Sequence, residues 1–288
     1  MTRLVSGLLL MTAAAVAADE WKMPDPARTV YLDLPDGRVV IELNPAFAPE
    51  TVARFAELIG QGFYDGLPFY RVIDNFVAQG GDPAETREIE GGGRNLPAEF
   101  ERDWNDDELV FVPAQAPDLF APETGFIDGF PAARDPATGK VWLTHCYGTV
   151  AMARGNEPDS GTTDYYIVIG QAPRYLDRNL TVFGRVVTGM EHVQRIRRGP
   201  AKTNGVYEDP AKATDMVRIR LASEVPEDQR TVVRRVDTED DSFKALLESR
   251  RDRQSEWFHH KPPEVLDVCQ VPLGAEVLKS PANPHNAR

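Results

Sequence analysis

Apolar and polar residues alternate through much of residues 27–222, as expected for β-strands that bury one face. Residues 30–34 and 39–43 alternate on either side of a Pro-Asp-Gly turn sequence, so they predict a β-hairpin. The same alternation returns later in this region. Further strands are predicted at 149–153, 165–170, 180–187 and 217–221.

Two segments of helical period interrupt these strands. Residues 52, 55, 56 and 59 are apolar and fall on one helical face, after Pro49 at an early helical position. Gly60 and Gly62 end this helix, and a second, short helix is predicted after Gly189. Many short strands with only two helices predict a mainly β, antiparallel barrel rather than an alternating βα sheet.

Two regions depart from the alternating pattern. Residues 84–147 are rich in glycine, proline and acidic residues, so we predict a loop-rich insert with one hairpin around 135–139. Residues 223–288 predict a C-terminal extension in which Asp240 to Ser242 cap a helix from Phe243 to about Phe258. The Pro- and Asn-rich end of the extension is predicted to be disordered.

The N-terminus has the three parts of a secretory signal peptide. Arg3 is followed by an apolar stretch from Leu4 to Ala14 and by small residues at 15–17. The alternative is a membrane anchor, but a bilayer span needs roughly 20 apolar residues. We therefore predict a signal peptide at 1–17, export to a bacterial periplasm and no membrane insertion.

Net charge and cysteine content narrow the possible partners. A formal net charge of −13 repels phosphate backbones, so no nucleic-acid partner is expected. Only two cysteines are present, which excludes a four-cysteine zinc site. Cys146 and Cys269 either form a disulfide that pins the tail, which export permits, or remain two unpaired thiols. Metal binding by Cys146 with His145 and the 259–260 histidine pair fits no standard zinc spacing, so no metal is predicted.

One arginine and one glutamine stand in the otherwise apolar segment FYRVIDNFVAQGGDP (69–83). The segment predicts a strand–turn–strand unit whose turn is Asp74-Asn75, because short Asx side chains tolerate left-handed backbone. Arg71 then shares a strand face with Phe69 and Ile73. A charged side chain on such a face forms an ion pair, has a function, or lies at the edge of the apolar surface.

This segment and three others together resemble the cyclophilin family of peptidyl-prolyl isomerases. The other three are GTVAMAR (148–154), SGTTDYYIVIG (160–170) and YLDRNLTVFGRVVTGM (175–190). The resemblance covers most of 29–221, interrupted by 84–147, and implies a cyclophilin-like domain at 27–222. It further implies a closed eight-stranded antiparallel barrel, capped by two helices, with the active groove on its outer face and a monomeric state.

The resemblance also implies roles for individual residues. Arg71 matches the catalytic arginine, and Gln79 matches the glutamine that holds it and contacts the substrate backbone. Ala153 matches a small groove residue. The proline pocket is implied to be lined by Phe76, Val77, Tyr166 and Leu176. From patterning alone, the apolar members of this set are equally ordinary core residues, Gln79 could cap a strand edge, and Tyr165 belongs to the barrel core.

Four positions depart from the family pattern at the groove. Leu180 replaces a common histidine. Tyr175 replaces a common tryptophan, and this second departure implies weak binding of cyclosporin. Tyr166 replaces a phenylalanine and brings a hydroxyl to the proline pocket. Asp164 replaces a glutamine and could attract Arg71 or a basic substrate flank.

The chemistry that the resemblance implies needs no cofactor. Rotation about a peptide bond faces a barrier of about 18–20 kcal/mol, because the nitrogen lone pair is delocalised. An arginine N–H that donates to the prolyl nitrogen localises that lone pair in the twisted state. We expect an isomerase that acts on proline-containing polypeptides and assists the folding of exported proteins. The alternative is a binding module that uses the groove, the insert or the tail with little catalysis.

Overall fold

The computed structural model describes residues 20–105 and 107–281. The predicted signal peptide and the predicted disordered end from residue 282 onward lie outside the described residues. Within them, no helix is long and apolar enough to cross a membrane.

Strands dominate the described chain. In chain order they are β1 (Trp21–Lys22), β2 (Thr29–Leu34), β3 (Gly37–Leu43), β4 (Arg71–Val72), β5 (Val77–Gly80), β6 (Arg102–Asp103), β7 (Val112–Gln115), β8 (Glu123–Ile127), β9 (Phe130–Asp135), β10 (Lys140–Leu143), β11 (Thr149–Met152), β12 (Tyr165–Val168), β13 (Val182–Thr188), β14 (Arg218–Leu221), β15 (Val232–Val236) and β16 (Ala275–Lys279). The α-helices are α1 (Pro49–Gly60), α2 (Met190–Val193) and α3 (Asp241–Arg251).

Eight strands form one curled antiparallel sheet in the order β14-β2-β3-β13-β11-β12-β5-β4. The predicted hairpin is confirmed as β2–β3, and both predicted helices are present as α1 and the four-residue α2. The expected closed barrel is corrected to a curled sheet, because β4 and β14 are its edges and do not pair with each other. The chain segments just before these two strands meet instead, with Gly66 N–H donating to Met216 O at 2.7 Å and Phe69 N–H to Thr214 O at 2.9 Å.

Alternate side chains of the curled sheet fill its interior. Helix α1 covers one opening and inserts Phe55, whose ring lies 5.2 Å from Tyr64, 5.2 Å from Tyr165 and 5.0 Å from Phe183. All four rings are fully buried. Tilted and edge-on aromatic contacts of this kind add to the free energy gained from apolar burial.

The insert is a second sheet rather than the predicted mainly loop region. Residues 102–143 supply five antiparallel strands in the order β6-β10-β9-β8-β7. The hairpin predicted around 135–139 is confirmed as β9–β10. The preceding hairpin turns at Asp128 and Gly129, with φ of 44° and 79°, which is the left-handed pair that a two-residue turn of matching twist requires.

The extension contains more than its predicted helix. Helix α3 is present, and Asp240 caps it by accepting from Ser242 N–H at 2.8 Å, but the helix ends at Arg251 rather than near Phe258. Strands β15 and β16 form a three-stranded sheet with β1 from the start of the described chain. The sequence pattern of these segments does not predict this sheet.

A disulfide joins the insert to the extension. Cys146 and Cys269 are bonded through sulfur, with their Cα atoms 5.0 Å apart. Both residues belong to an apolar cluster that also holds Phe126 of β8 and Phe243 of α3, whose rings meet edge-on at 5.0 Å. The cluster and the disulfide therefore attach the extension to the insert sheet.

A buried ion cluster joins the curled sheet, the insert and the extension. Glu42 of β3 is completely buried, and Arg235 of β15 donates to both of its oxygens at 2.7 and 3.0 Å. The same guanidinium donates to Asp128 in the insert at 2.8 Å, and Arg185 Nη2 lies 3.6 Å from Glu42. Burial opposes ionisation of Asp128, but the hydrogen bond and charge of Arg235 outweigh it and lower the Asp128 pKa.

Replacement of Arg235 tests this cluster. Arg235→Met leaves Glu42 buried with only the more distant Arg185, so we expect the free energy of unfolding to fall by about 3 kcal/mol or more. The matched control is Arg234→Met, which removes an exposed pair with Glu276 and a cation–π contact with Trp21, and costs less than about 2 kcal/mol. Urea denaturation measures both changes, and equal losses in the two variants would contradict the role of the cluster.

Candidate active site

The candidate site is built on the β4–β5 hairpin. Arg71 and Gln79 are cross-strand partners in this antiparallel pair, so their side chains are neighbours. Arg71 Nη1 donates to Gln79 Oε1 at 2.9 Å. Asn75 in the turn has a φ of 58°, and the predicted Asp74-Asn75 turn is confirmed.

The site lies on the outer face of the curled sheet. Gln79 pairs with Tyr166 across β5 and β12, and Tyr166 pairs with Ala151 across β12 and β11. The intervening residues, such as Ala78 and Tyr165, point inward and are fully buried in the interior cluster. The prediction that Tyr165 is core is confirmed.

The predicted pocket residues fall into three groups. Val77 and Tyr166 are nearly buried, with 2% and 5% exposed. Phe76, Ala153 and Leu180 are partly buried and pack against the same apolar cluster. Leu176 is half-buried, whereas Tyr175 is 66% exposed and lines an open cleft with Phe100 and Phe120.

The insert sheet packs on this same outer face. The cluster that contains Val77 and Tyr166 also contains Phe130 of β9 and Val141 and Leu143 of β10. The groove and the insert therefore share one continuous apolar layer, which the sequence analysis did not predict.

The hydroxyl of Tyr166 is engaged by a histidine of the insert. His145 is fully buried, with Nε2 at 2.9 Å from Tyr166 OH and Nδ1 at 3.0 Å from Asp177 Oδ1. Burial raises the pKa of Tyr166, so its hydroxyl stays protonated and can take part in this bond. The tyrosine hydroxyl is thus satisfied within the protein.

The loop that carries Leu176 and Leu180 is fixed by the same polar network. Arg174 Nε donates to Asp177 Oδ2 at 2.5 Å, and its Nη2 donates to Asp118 of the insert at 3.1 Å. Arg174 and Asp177 are both buried. Arg174, Asp177 and the role of His145 were not predicted, since no local sequence pattern brings 118, 145, 166 and 174–177 together.

Asp164 does not contact Arg71, contrary to one of its two suggested roles. In the described part of the chain the two residues form no ion pair. Asp164 Oδ2 accepts from Tyr70 OH at 2.7 Å, and the oxygen of Tyr70 accepts from Gln79 Nε2. Burial raises the pKa of Asp164. Burial and the nearby Asp164 carboxylate together raise the pKa of Tyr70. Tyr70 is a further residue of the site that the sequence analysis did not identify.

Two of the residues considered as metal ligands have other partners. His145 is held by Tyr166 and Asp177, and Cys146 is in the disulfide. Among residues 20–105 and 107–281, no group of three or more His, Cys, Asp or Glu side chains is placed to hold a metal ion.

A protein-family model described as cyclophilin type peptidyl-prolyl cis-trans isomerase matches residues 29–221, which is more than half of the chain. The chain belongs to the cyclophilin family. It is therefore an enzyme of the peptidyl-prolyl cis-trans isomerase class.

Individual cyclophilins resemble this chain over similar lengths. A probable peptidyl-prolyl cis-trans isomerase of Brucella suis is 32% identical over 199 residues, which cover 65% of this chain and 81% of the relative. The human peptidyl-prolyl cis-trans isomerase-like 1 is 33% identical over 191 residues, which cover 66% of this chain and 89% of the relative.

A solved cyclophilin resembles nearly the whole chain. The crystal structure of cyclophilin AquaCyp293 from Hirschia baltica matches with a TM-score of 0.73 at 28% identity, covering 91% of this chain and 94% of that chain. Such coverage is more than residues 1–222 could supply, so the likeness includes part of the extension.

The Tyr166–His145 bond is tested by a tyrosine pair on opposite faces of β12. Tyr166→Phe leaves His145 Nε2 buried without its partner, so we expect the free energy of unfolding to fall by about 1–3 kcal/mol. Tyr165→Phe is the control, because its hydroxyl only faces the sulfur of Met216 at 3.0 Å, and it should cost clearly less. Chemical denaturation measures both, and an equal or smaller loss in Tyr166→Phe would contradict the assignment.

Proposed function

We propose that this cyclophilin accelerates rotation of X-Pro bonds in polypeptides, with Arg71 as the catalytic residue. The observation that carries the proposal is the placement of the guanidinium. In the described part of the chain, the Arg71 side chain makes one hydrogen bond, to Gln79, so its other N–H groups have no protein acceptor. A free donor at the edge of an apolar pocket can reach the prolyl nitrogen of a substrate.

The surroundings of Arg71 support binding of a proline ring. Tyr166 and Val77 form an apolar floor, and the partly buried Phe76 and Leu180 stand beside it. A proline ring is uncharged and compact, so it fits such a surface. The low local dielectric of the pocket strengthens a hydrogen bond from Arg71 to the prolyl nitrogen.

Gln79 supplies a hydrogen-bond donor for the backbone of the substrate. One amide hydrogen of Gln79 is used by Tyr70, while its second amide hydrogen remains for a substrate carbonyl. Catalysis follows because the prolyl nitrogen accepts well only when the amide is twisted and its lone pair is localised. The Arg71 bond is therefore stronger in the transition state than in either planar state.

A second candidate function rests on the insert. The packing of its sheet against the outer face leaves Tyr166 and Val77 with little exposed surface. A groove narrowed in this way would favour a binding module that holds a partner without rapid isomerisation. Measured catalysis distinguishes the two functions.

Replacement of Arg71 tests the catalytic proposal. Exchange NMR on an Ala-Pro-containing peptide should show that Arg71→Ala lowers the catalysed cis–trans rate by about 100-fold or more. Arg71→Lys should also lower it strongly, because a compact ammonium does not reproduce the guanidinium fork. Arg234→Met, which is remote from the site, should retain the wild-type rate. An inactive but folded wild type would instead favour the binding module.

We further propose that the protein acts in the periplasm, as a monomer, on newly exported proline-containing proteins. The signal-peptide pattern at 1–17 supports export. The bonded Cys146–Cys269 pair supports an oxidising compartment, where disulfides form and persist.

Expression of the full chain tests export. The soluble periplasmic fraction should contain protein whose N-terminus is Ala18, and mass spectrometry after thiol labelling should find no free cysteine. Protein that keeps residues 1–17 and stays with the cytoplasmic or membrane fraction would contradict the proposal.

A further inference from the structure

A chain of hydrogen bonds leads away from Arg71 beneath the groove. Arg71 donates to the oxygen of Gln79 at 2.9 Å, the nitrogen of Gln79 donates to Tyr70, and Tyr70 donates to Asp164 at 2.7 Å. The other oxygen of Asp164 accepts from Asp82 N–H at 2.9 Å and from the Thr163 hydroxyl at 3.2 Å.

The charge of Asp164 determines which group donates and which accepts in each hydrogen bond of this series. An ionised carboxylate can only accept, so the Tyr70 hydroxyl must donate its one proton to Asp164. The Tyr70 oxygen is then left to accept from Gln79, which must offer its amide nitrogen. The carbonyl of Gln79 is consequently turned towards Arg71, where a guanidinium needs an acceptor.

We propose that Asp164 and Tyr70 are positioning residues that orient Gln79 and thereby hold Arg71 in its catalytic position. The inference rests on the proposed function of Arg71. It assigns Asp164 an indirect role in place of direct attraction to Arg71. Neither residue touches the substrate in this account, and both act through the amide of Gln79.

The surroundings of Asp164 hold its carboxylate in place. A side chain on Gly81 would place its Cβ 2.0 Å from Asp164 Oδ1, and Gly81 has a φ of 144°, so this glycine makes room for the carboxylate. The titratable groups that face Asp164 are Tyr70, Asp82 and Tyr64, whose own pKa Asp164 helps to raise. Asp164 is therefore buried among groups that do not neutralise it.

Loss of the negative charge of Asp164 reverses the donor and acceptor roles along this series of hydrogen bonds. The Asp82 N–H requires an acceptor at Oδ1, so a protonated Asp164 or an asparagine turns its donor towards Tyr70. Tyr70 now accepts from Asp164, and its own proton is left for Gln79, which can receive it only by turning its carbonyl towards Tyr70. The amide nitrogen of Gln79 now faces the guanidinium of Arg71, and two donors oppose each other.

Asp164→Asn and Tyr70→Phe test the inference by exchange NMR and steady-state kinetics. Each should lower kcat by about tenfold or more, with KM changed little, because Arg71 is displaced while the apolar pocket remains. Wild-type kcat/KM should fall with decreasing pH as Asp164 takes up a proton, and burial places this fall above the ordinary aspartate range. Asp164→Asn should be low and independent of pH between about pH 4 and pH 8.

The outcomes separate this inference from the proposed function. The positioning role alone would be overturned if Asp164→Asn kept the wild-type kcat and pH profile while Arg71→Ala lost its isomerase activity. Full activity in Arg71→Ala would overturn both proposals. If Asp164→Asn does not fold, Tyr70→Phe and the ¹⁵N shift of the Arg71 guanidinium in the wild type during acid titration decide the question. A guanidinium signal that does not follow the acid limb of activity would contradict the inference.

Discussion

The pairing of Arg71 with Gln79 across a four-residue turn is the constraint on which the rest of the site depends. The register of β4 and β5 places both side chains on the outer face, while Val72 and Ala78 fill the interior. A shift by one residue would exchange these faces, burying the guanidinium in the apolar core. The left-handed backbone of Asn75 helps to fix this register, and so do the inward residues.

The outer face of a curled sheet is normally exposed to solvent, but here part of it packs against the insert. The insert sheet covers part of it, and Tyr166 serves both the groove and the insert through its bond to His145. The extension is tied to the same assembly by the Cys146–Cys269 bond and by Arg235, which contacts both Glu42 and Asp128. The groove residues are thereby supported from three regions of the chain.

The sequence was informative where local pattern determines structure. Alternation predicted β2–β3, helical period predicted α1, and the family motifs predicted that Arg71 and Gln79 act together. The insert sheet was not predicted because proline and glycine interrupt the apolar–polar alternation of its strands. Pro113 stands in the edge strand β7, where a missing N–H is tolerated, and Gly125 in β8 lets Phe111 and the Val112 carbonyl approach closely. Tyr70, Asp164 and His145 could not be assigned, since their roles arise from contacts between residues far apart in sequence.

A crystal structure of the mature protein with a bound Ala-Pro-containing peptide tests the central claim most directly, namely that the insert-covered outer face still receives a proline at Arg71. We predict that the proline ring lies against Tyr166 and Phe76 and that an Arg71 nitrogen lies within hydrogen-bond distance of the prolyl nitrogen. The amide oxygen of Gln79 should still face Arg71. A peptide bound elsewhere on the molecule, with the insert closing the surface beside Arg71, would contradict the account.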